Sequence, residues 1–221
     1  MIRAREVRIV LIGAVPTAVA VTALIAWVDH PLAAHMAQFA ETRLIAAFRI
    51  ITLLANGAIW YALALLGMGV AWSESRGVVK TVGTQTLLRQ RLNAGIFMIA
   101  SMAISGVLVN AFKLAIGRPR PKLVLYENIS GLAPFQRALE DCSFPSGHSQ
   151  SIWAAMLALA WIFPRGRWAF FAVAVVVASS RVIIGTHYAS DVVAGAYLAF
   201  AIAFLARWWF QREGLPVALT A

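Results

Sequence analysis

Charge is what this chain lacks. Only 13% of its 221 residues are charged, with nine aspartates and glutamates against 19 lysines and arginines. A soluble domain of this size needs a polar shell around its core, and 61% apolar residues leave too little to build one. A mean hydropathy of +0.78 also excludes a disordered chain. Cysteine is nearly absent. Cys142 stands alone, so no internal disulfide can form, the redox compartment cannot be read, and the thiol reads as neutral and inert. Internal repeats, low-complexity tracts and interdomain linkers are missing too, so residues 1–221 read as one membrane-embedded domain.

What is present is apolar sequence in blocks. Residues Ile9–Val28, Ile50–Trp72 and Leu92–Phe112 are charge-free runs long enough to cross a bilayer. Ser149–Phe163, Trp168–Ile184 and Val192–Ala206 are shorter, and the fifth contains Arg181. Ionisable residues at membrane depth are costly and mark function, so the outer turns of these spans are expected to be built from functional polar residues. The expectation is an all-α polytopic membrane bundle of six transmembrane helices. Ile9–Val28 is long for a signal-peptide core and no small-x-small site follows it directly, so it reads as a retained first span. His30–Arg49, with Leu32, Met36, Phe39 and Ala40 at helical spacing, reads as an amphipathic interfacial helix. Its His30 and His35 read as solvated or interfacial. Trp208 and Trp209 read as an interfacial anchor closing the last span.

The net charge of +10 does not point to nucleic acid, because the cations sit between apolar runs. They sort by side instead. Arg3, Arg5 and Arg8, then Arg76, Lys80, Arg89 and Arg91, then Arg165 and Arg167, then Arg207 and Arg212 fall on one side by parity. The positive-inside rule makes that side cytoplasmic. Segment 113–148 lies on the other side, yet it is basic as well, with Lys113, Arg118, Arg120, Lys122 and Arg137. A basic cluster on the wrong side implies an anionic ligand there.

The outer helix ends carry the chemistry. The third span ends in Lys113 and runs into Gly117-Arg118-Pro119-Arg120-Pro121, and the fourth opens on Pro145-Ser146-Gly147-His148. The fifth ends in Ser180-Arg181, and His187 and Asp191 lead into the sixth. Arginine offers a planar fork to phosphate oxygens and lysine a point charge. Ser146 and Gly147 stand where free N–H groups and the helix dipole favour an anion. His187 and Asp191 are four apart, so a sixth helix starting near His187 would put both on one face. The carboxylate would then fix the imidazole tautomer and leave the second nitrogen free to attack. His148 is available as a general acid.

Lys113-x6-Arg120-Pro121, Pro145-Ser146-Gly147-His148 and Ser180-Arg181-x5-His187-x3-Asp191 together resemble the three-part signature of the type 2 phosphatidic acid phosphatase superfamily. The resemblance spans residues 113–191, and the six-span layout is similar to the family's membrane branch. It implies a metal-independent phosphatase without cofactor, working through a phosphohistidine. It implies His187 as nucleophile, Asp191 as its orienting group, and His148 as acid and then base. Lys113, Arg120, Ser146, Gly147 and Arg181 are implied as the phosphate holders; Arg118 lies outside the signature. Hydropathy argues against the family's soluble acid phosphatases and haloperoxidases, and the short 122–144 segment leaves little room for a lid domain. The implied substrate is a membrane lipid phosphate: lipid A, undecaprenyl pyrophosphate, phosphatidylglycerophosphate or phosphatidic acid, with the lean toward a bacterial envelope lipid. The implied place is the bacterial cytoplasmic membrane, with the site at the extracytoplasmic helix ends. A non-catalytic lipid or anion binder, or a transporter on the same scaffold, is the rival; neither would need His148, His187 and Asp191 together.

Overall fold

The computed structural model describes residues 5–76 and 81–219; Arg3 and Lys80, used above to orient the chain, lie outside the described residues. The elements are α1 (Arg5–Trp27), α2 (Asp29–Ala37), α3 (Arg43–Ile51), α4 (Gly57–Ser75), α5 (Val82–Ile116), α6 (Pro121–Tyr126), α7 (Gly147–Ile162), α8 (Arg167–Ile183) and α9 (Ala189–Arg212). No strand occurs among the described residues, only an isolated bridge between Pro119 and Cys142.

Four helical segments are long and apolar enough to cross a membrane: α1, α5, α8 with the turn before it, and α9. The pair α3–α4 passes the same test as a broken span bent by 42°. The expected second span, Ile50–Trp72, is therefore not one straight helix. A 3-10 turn over Thr52–Ala55 ends α3, and Asn56 adopts extended backbone and caps α4 by accepting a 3.0 Å bond from the Ala58 N–H. The expected third span also starts earlier than its hydropathy suggests. Thr81 caps α5 by accepting from Thr84 N, so the helix begins at Val82, ten residues before the charge-free run. Hydropathy marks where lipid contact starts; the cap marks where helical hydrogen bonding starts. The expected amphipathic segment 30–49 is two short helices, α2 and α3, parted by turns at 38–42.

The remaining expected span is α7, of 16 residues. At 1.5 Å per residue it is about 24 Å long, short of a bilayer core of about 30 Å. It can be short because α5, α8 and α9 pack around it. Ile152, Ala154, Ala155, Met156, Leu157 and Ala158 are all buried. Its small residues admit close neighbours, as membrane helix interfaces require. Polar contacts add direction. Gln150 Nε2 donates to Ser105 Oγ at 2.6 Å on α5, and Ser149 Oγ donates to the Val192 carbonyl at 2.7 Å on α9. The far end of α7 is closed by protein, since Leu219 N–H donates to the Ile162 carbonyl at 2.9 Å.

The opposite end of the bundle from Gly147 carries a belt of arginine on tryptophan. Arg76 lies 3.7 Å from the Trp72 ring centroid, Arg207 5.0 Å from Trp161, Arg167 5.2 Å from Trp168 and Arg212 5.8 Å from Trp208. Such belts sit at membrane–water interfaces. Gly195 fixes how deeply α9 approaches α7 at the other end, because a Cβ there would run into the Ser146 carbonyl. Gly195→Ala should therefore cost about 1–3 kcal/mol and lower the melting temperature in detergent. Gly67→Ala, where a Cβ meets open space, should melt no lower than the wild-type chain.

Candidate active site

Four helix ends meet at one place: the C-termini of α5 and α8 and the N-termini of α7 and α9. Lys113 lies in the last turn of α5 and is buried, and its Nζ donates to the Cys142 carbonyl. That bond ties α5 to the loop leading into α7. Gly117 caps α5 with φ +60°, its N–H donating 2.8 Å to the Lys113 carbonyl. A Cβ at Gly117 would collide with the Ala133 carbonyl, so this position needs glycine on both counts. The chain then turns sharply, and Arg120 follows as the N-cap of α6, with Pro121 in its first turn.

Ser146 caps α7, its Oγ accepting from Ser149 N at 3.3 Å, and its own N–H donates 3.0 Å to the Asp191 carbonyl. His148 is the second residue of α7 and half-buried. A Cβ on Gly147 would find only ordinary contact with Val109, so the backbone there is open to a ligand. In α8, Arg181 occupies the last turn, where a cation complements the helix dipole. Its Nη1 donates to Thr52 Oγ1 at 2.8 Å, and its carbonyl accepts from Thr186 N and His187 N at 3.1 Å each. Arg181 thus shapes the turn that presents His187.

Helix α9 starts at Ala189, two residues beyond His187, later than the shared-face expectation assumed. The pair meets nonetheless, because Asp191 reaches back. Its Oδ2 accepts from the Tyr188 N–H at 2.8 Å, the N3-to-cap contact of a capping box, and stands 3.4 Å from His187 Nδ1. That is long for a hydrogen bond; in unliganded sites such contacts often tighten only with substrate. Burial pushes the His187 imidazole down to about 4, with Lys113 and Arg120 adding to the shift and Asp191 opposing it. The ring is therefore neutral at physiological pH, the form a nucleophile requires. Burial pushes the Cys142 thiol up, which keeps it neutral.

The electrostatics of the site are lopsided. Lys113, Arg120 and Arg181 lie near enough to His148 for all three charges to act on it. Among the described residues, none of these cations has a carboxylate at ion-pairing distance. Arg120 Nε, Arg181 Nε and Ser143 Oγ are buried without a hydrogen-bond partner. Buried cations and donors left unpaired are costly, and an anion with several oxygens would satisfy them. No group of three or more His, Cys, Asp or Glu is placed to hold a metal ion among the described residues.

Two residues at this place escaped the sequence reading. Arg118, set outside the motif, forms ion pairs with Asp191 at 2.8 Å and with Asp29 at 2.9 Å. Asp29 opens α2 and is fully buried, at the one position between the expected first span and the expected interfacial segment. The only sequence signal was a rare carboxylate just after an apolar span. His30 and His35 are exposed, beside Tyr188 and Phe39 respectively.

The chain is similar to several known proteins. The chain is 40% identical over 121 residues to a lipid A 1-phosphatase of Rhizobium johnstonii, covering 55% of this chain and 50% of that one. It is 42% identical over 106 residues to a lipid A 1-phosphatase of Rhizobium etli, covering 48% and 45%. It is 28% identical over 120 residues to an undecaprenyl-diphosphatase of Sulfolobus acidocaldarius, covering 54% and 56%. The chain thus spans about half the length of the curated relatives it matches. Its fold matches the crystal structure of a transmembrane PAP2-type phosphatidylglycerolphosphate phosphatase from Bacillus subtilis, with a TM-score of 0.66 at 20% identity over 95% of this chain and 97% of that one. The model of the PAP2 superfamily matches residues 94–215, which take in α7, α8, α9 and every motif residue brought together above, and the chain belongs to that superfamily.

Proposed function

We propose that this chain is a metal-independent lipid phosphate phosphatase acting through a phosphohistidine. The observation that carries the reading is the set of three cations, Lys113 and Arg181 buried and Arg120 half-buried, without carboxylate partners among the described residues and gathered around two histidines. A phosphoryl group passing between oxygen and nitrogen spreads negative charge over its equatorial oxygens, and fixed cations in a water-poor site stabilise it. His187, held by Asp191, attacks phosphorus with its free ring nitrogen. The bond from phosphorus to the leaving oxygen breaks, and that oxygen takes the proton of His148. His148, now neutral, takes a proton from water; the water oxygen attacks phosphorus, the phosphorus–nitrogen bond breaks, and phosphate departs. Lys113, Arg120, Arg181 and the backbone at Ser146 and Gly147 hold the phosphate throughout. A two-metal mechanism would need several free carboxylates or histidines, whereas Asp191 is already engaged by Arg118 and Tyr188.

The substrate is a phosphomonoester or pyrophosphate of an envelope lipid. Lipid A comes first among the four candidates, because two matching relatives carry that activity in their names. In this reading residues 1–221 form one domain of six spans, α1, α3–α4, α5, α7, α8 and α9. It lies in the bacterial cytoplasmic membrane with the site facing the periplasm or exterior. The arginine–tryptophan belt at the opposite end supports that orientation.

Four results are expected. Purified in detergent, the chain releases phosphate from at least one of lipid A, undecaprenyl pyrophosphate, phosphatidylglycerophosphate and phosphatidic acid. EDTA does not abolish the activity, vanadate inhibits it, and His187→Ala loses it; loss with EDTA restored by magnesium or zinc would refute metal independence. The kcat/KM profile has its acidic limb below the ordinary imidazole range, since His187 takes a proton and loses its nucleophilic form only as pH drops through its depressed value. In a Cys142→Ser background, an impermeant thiol reagent on intact cells labels Ser130→Cys and spares Ser75→Cys; the reverse pattern would overturn the orientation.

A further inference from the structure

Arg118 is the hub of the buried charges at the start of α9. Its Nη1 donates at 2.8 Å to both Asp191 Oδ1 and Ser190 Oγ, and its Nη2 donates at 2.9 Å to Asp29 Oδ2. Its guanidinium carbon lies 4.1 Å from the Tyr188 ring centroid. The Arg118 side chain is 11% exposed, and both carboxylates are fully buried. Asp29 also accepts from Ser190 N at 3.1 Å and from Ser190 Oγ. Two buried carboxylates therefore share one helix N-terminus and one cation.

That arrangement sets the orientation of Asp191. Two carboxylates buried side by side are costly, and a guanidinium hydrogen-bonded to both offsets that cost. With Oδ1 taken by Arg118, Oδ2 is the oxygen left for Tyr188 N and His187 Nδ1. A guanidinium fork can bridge two carboxylates that approach from different helices, whereas a lysine ammonium acts as a single point charge. Asp29, arriving from α2, fixes the far side of the fork.

We propose that Arg118 and Asp29 are positioning residues for the reaction: Arg118 holds Asp191 with one oxygen turned to His187, and Asp29 holds Arg118 from the N-terminal helices. The proposal rests on His187 as nucleophile, but its geometry and one of its tests do not. The groups facing His187 are Asp191 on α9, His148 on α7, and Lys113 and Arg120 at the end of α5 and beyond; Arg181 on α8 faces His148. Of these, Asp191 is the one Arg118 touches. Removing Arg118 leaves its negative charge directed more fully at His187.

The test uses the full chain in detergent, with Arg118→Met, Arg118→Lys, Asp29→Asn and the Arg118→Met/Asp29→Asn double variant. His187→Ala is the control, and all are screened for a cooperative melt. Arg118→Met should lower kcat about 10²-fold, with KM changed by less than about threefold, on the lipid the wild-type chain hydrolyses fastest. Arg118→Lys should restore little of the rate. Asp29→Asn, the mildest change, should lower kcat by about tenfold. The double variant should be no slower than Arg118→Met alone, as members of one unit behave. The second measurement needs no turnover. Imidazole 15N shifts, with His187 assigned by its loss in His187→Ala, should titrate at higher pH in Arg118→Met by about half a unit or more. An unmoved His187 midpoint, full rescue by lysine, or a raised KM at unchanged kcat would overturn the proposal. Retained activity in His187→Ala would instead sink the nucleophile assignment, leaving the titration to decide the role of Arg118.

Discussion

Three cations sit at the mouth of an apolar bundle with no carboxylate among the described residues to pair them, and the rest of the site is arranged around that cost. Lys113 and Arg181 are nearly fully buried, and each is restrained by neutral oxygens: the Cys142 carbonyl for Lys113 and Thr52 Oγ1 for Arg181. Neutral oxygens orient a cation without cancelling its charge. The one carboxylate that the motif brings to the site, Asp191, is kept out of that role, because Arg118 and the backbone of Tyr188 occupy its oxygens. The resulting positive field is stored in the folded chain and is available to an incoming anion without further reorganisation.

The helices exist in this arrangement to hold those groups. Short, alanine-rich α7 lets α5, α8 and α9 close around it, which brings four helix ends to one place. Gly195 sets the approach of α9 to Ser146, and Gly117 ends α5 so that the chain can turn toward Arg120. The helix N-termini contribute partial positive charge, and α9 uses its own to hold two carboxylates. Helix packing thus fixes the geometry of the charges to within a side chain's reach.

Much of the site was legible because its residues lie in three short motifs whose internal spacing survives folding. Lys113 to Arg120, Ser146 to His148, and Arg181 to Asp191 each lie at one helix end or across one short turn between two, so local geometry carries most of their relation. Arg118 and Asp29 were not legible in the same way. They are 89 positions apart, and nothing local distinguishes a buried Asp29 from an interfacial one. The same limit explains the spans. An apolar run does not reveal that Asn56 will cap a new helix, nor that Thr81 starts α5 before the lipid-facing segment begins. Nor does the 16-residue length of α7 reveal that α5, α8 and α9 will pack around it.

The account stands on His187 as the atom carrier in a site prepared for phosphate. Rapid-quench mass spectrometry of the chain during turnover of a lipid phosphate tests this most directly. The expected result is a phosphopeptide modified on His187 that forms within one turnover, decays as phosphate is released, and is absent from His187→Ala. A phosphopeptide carrying the group on His148, or hydrolysis proceeding at full rate in His187→Ala, would contradict it.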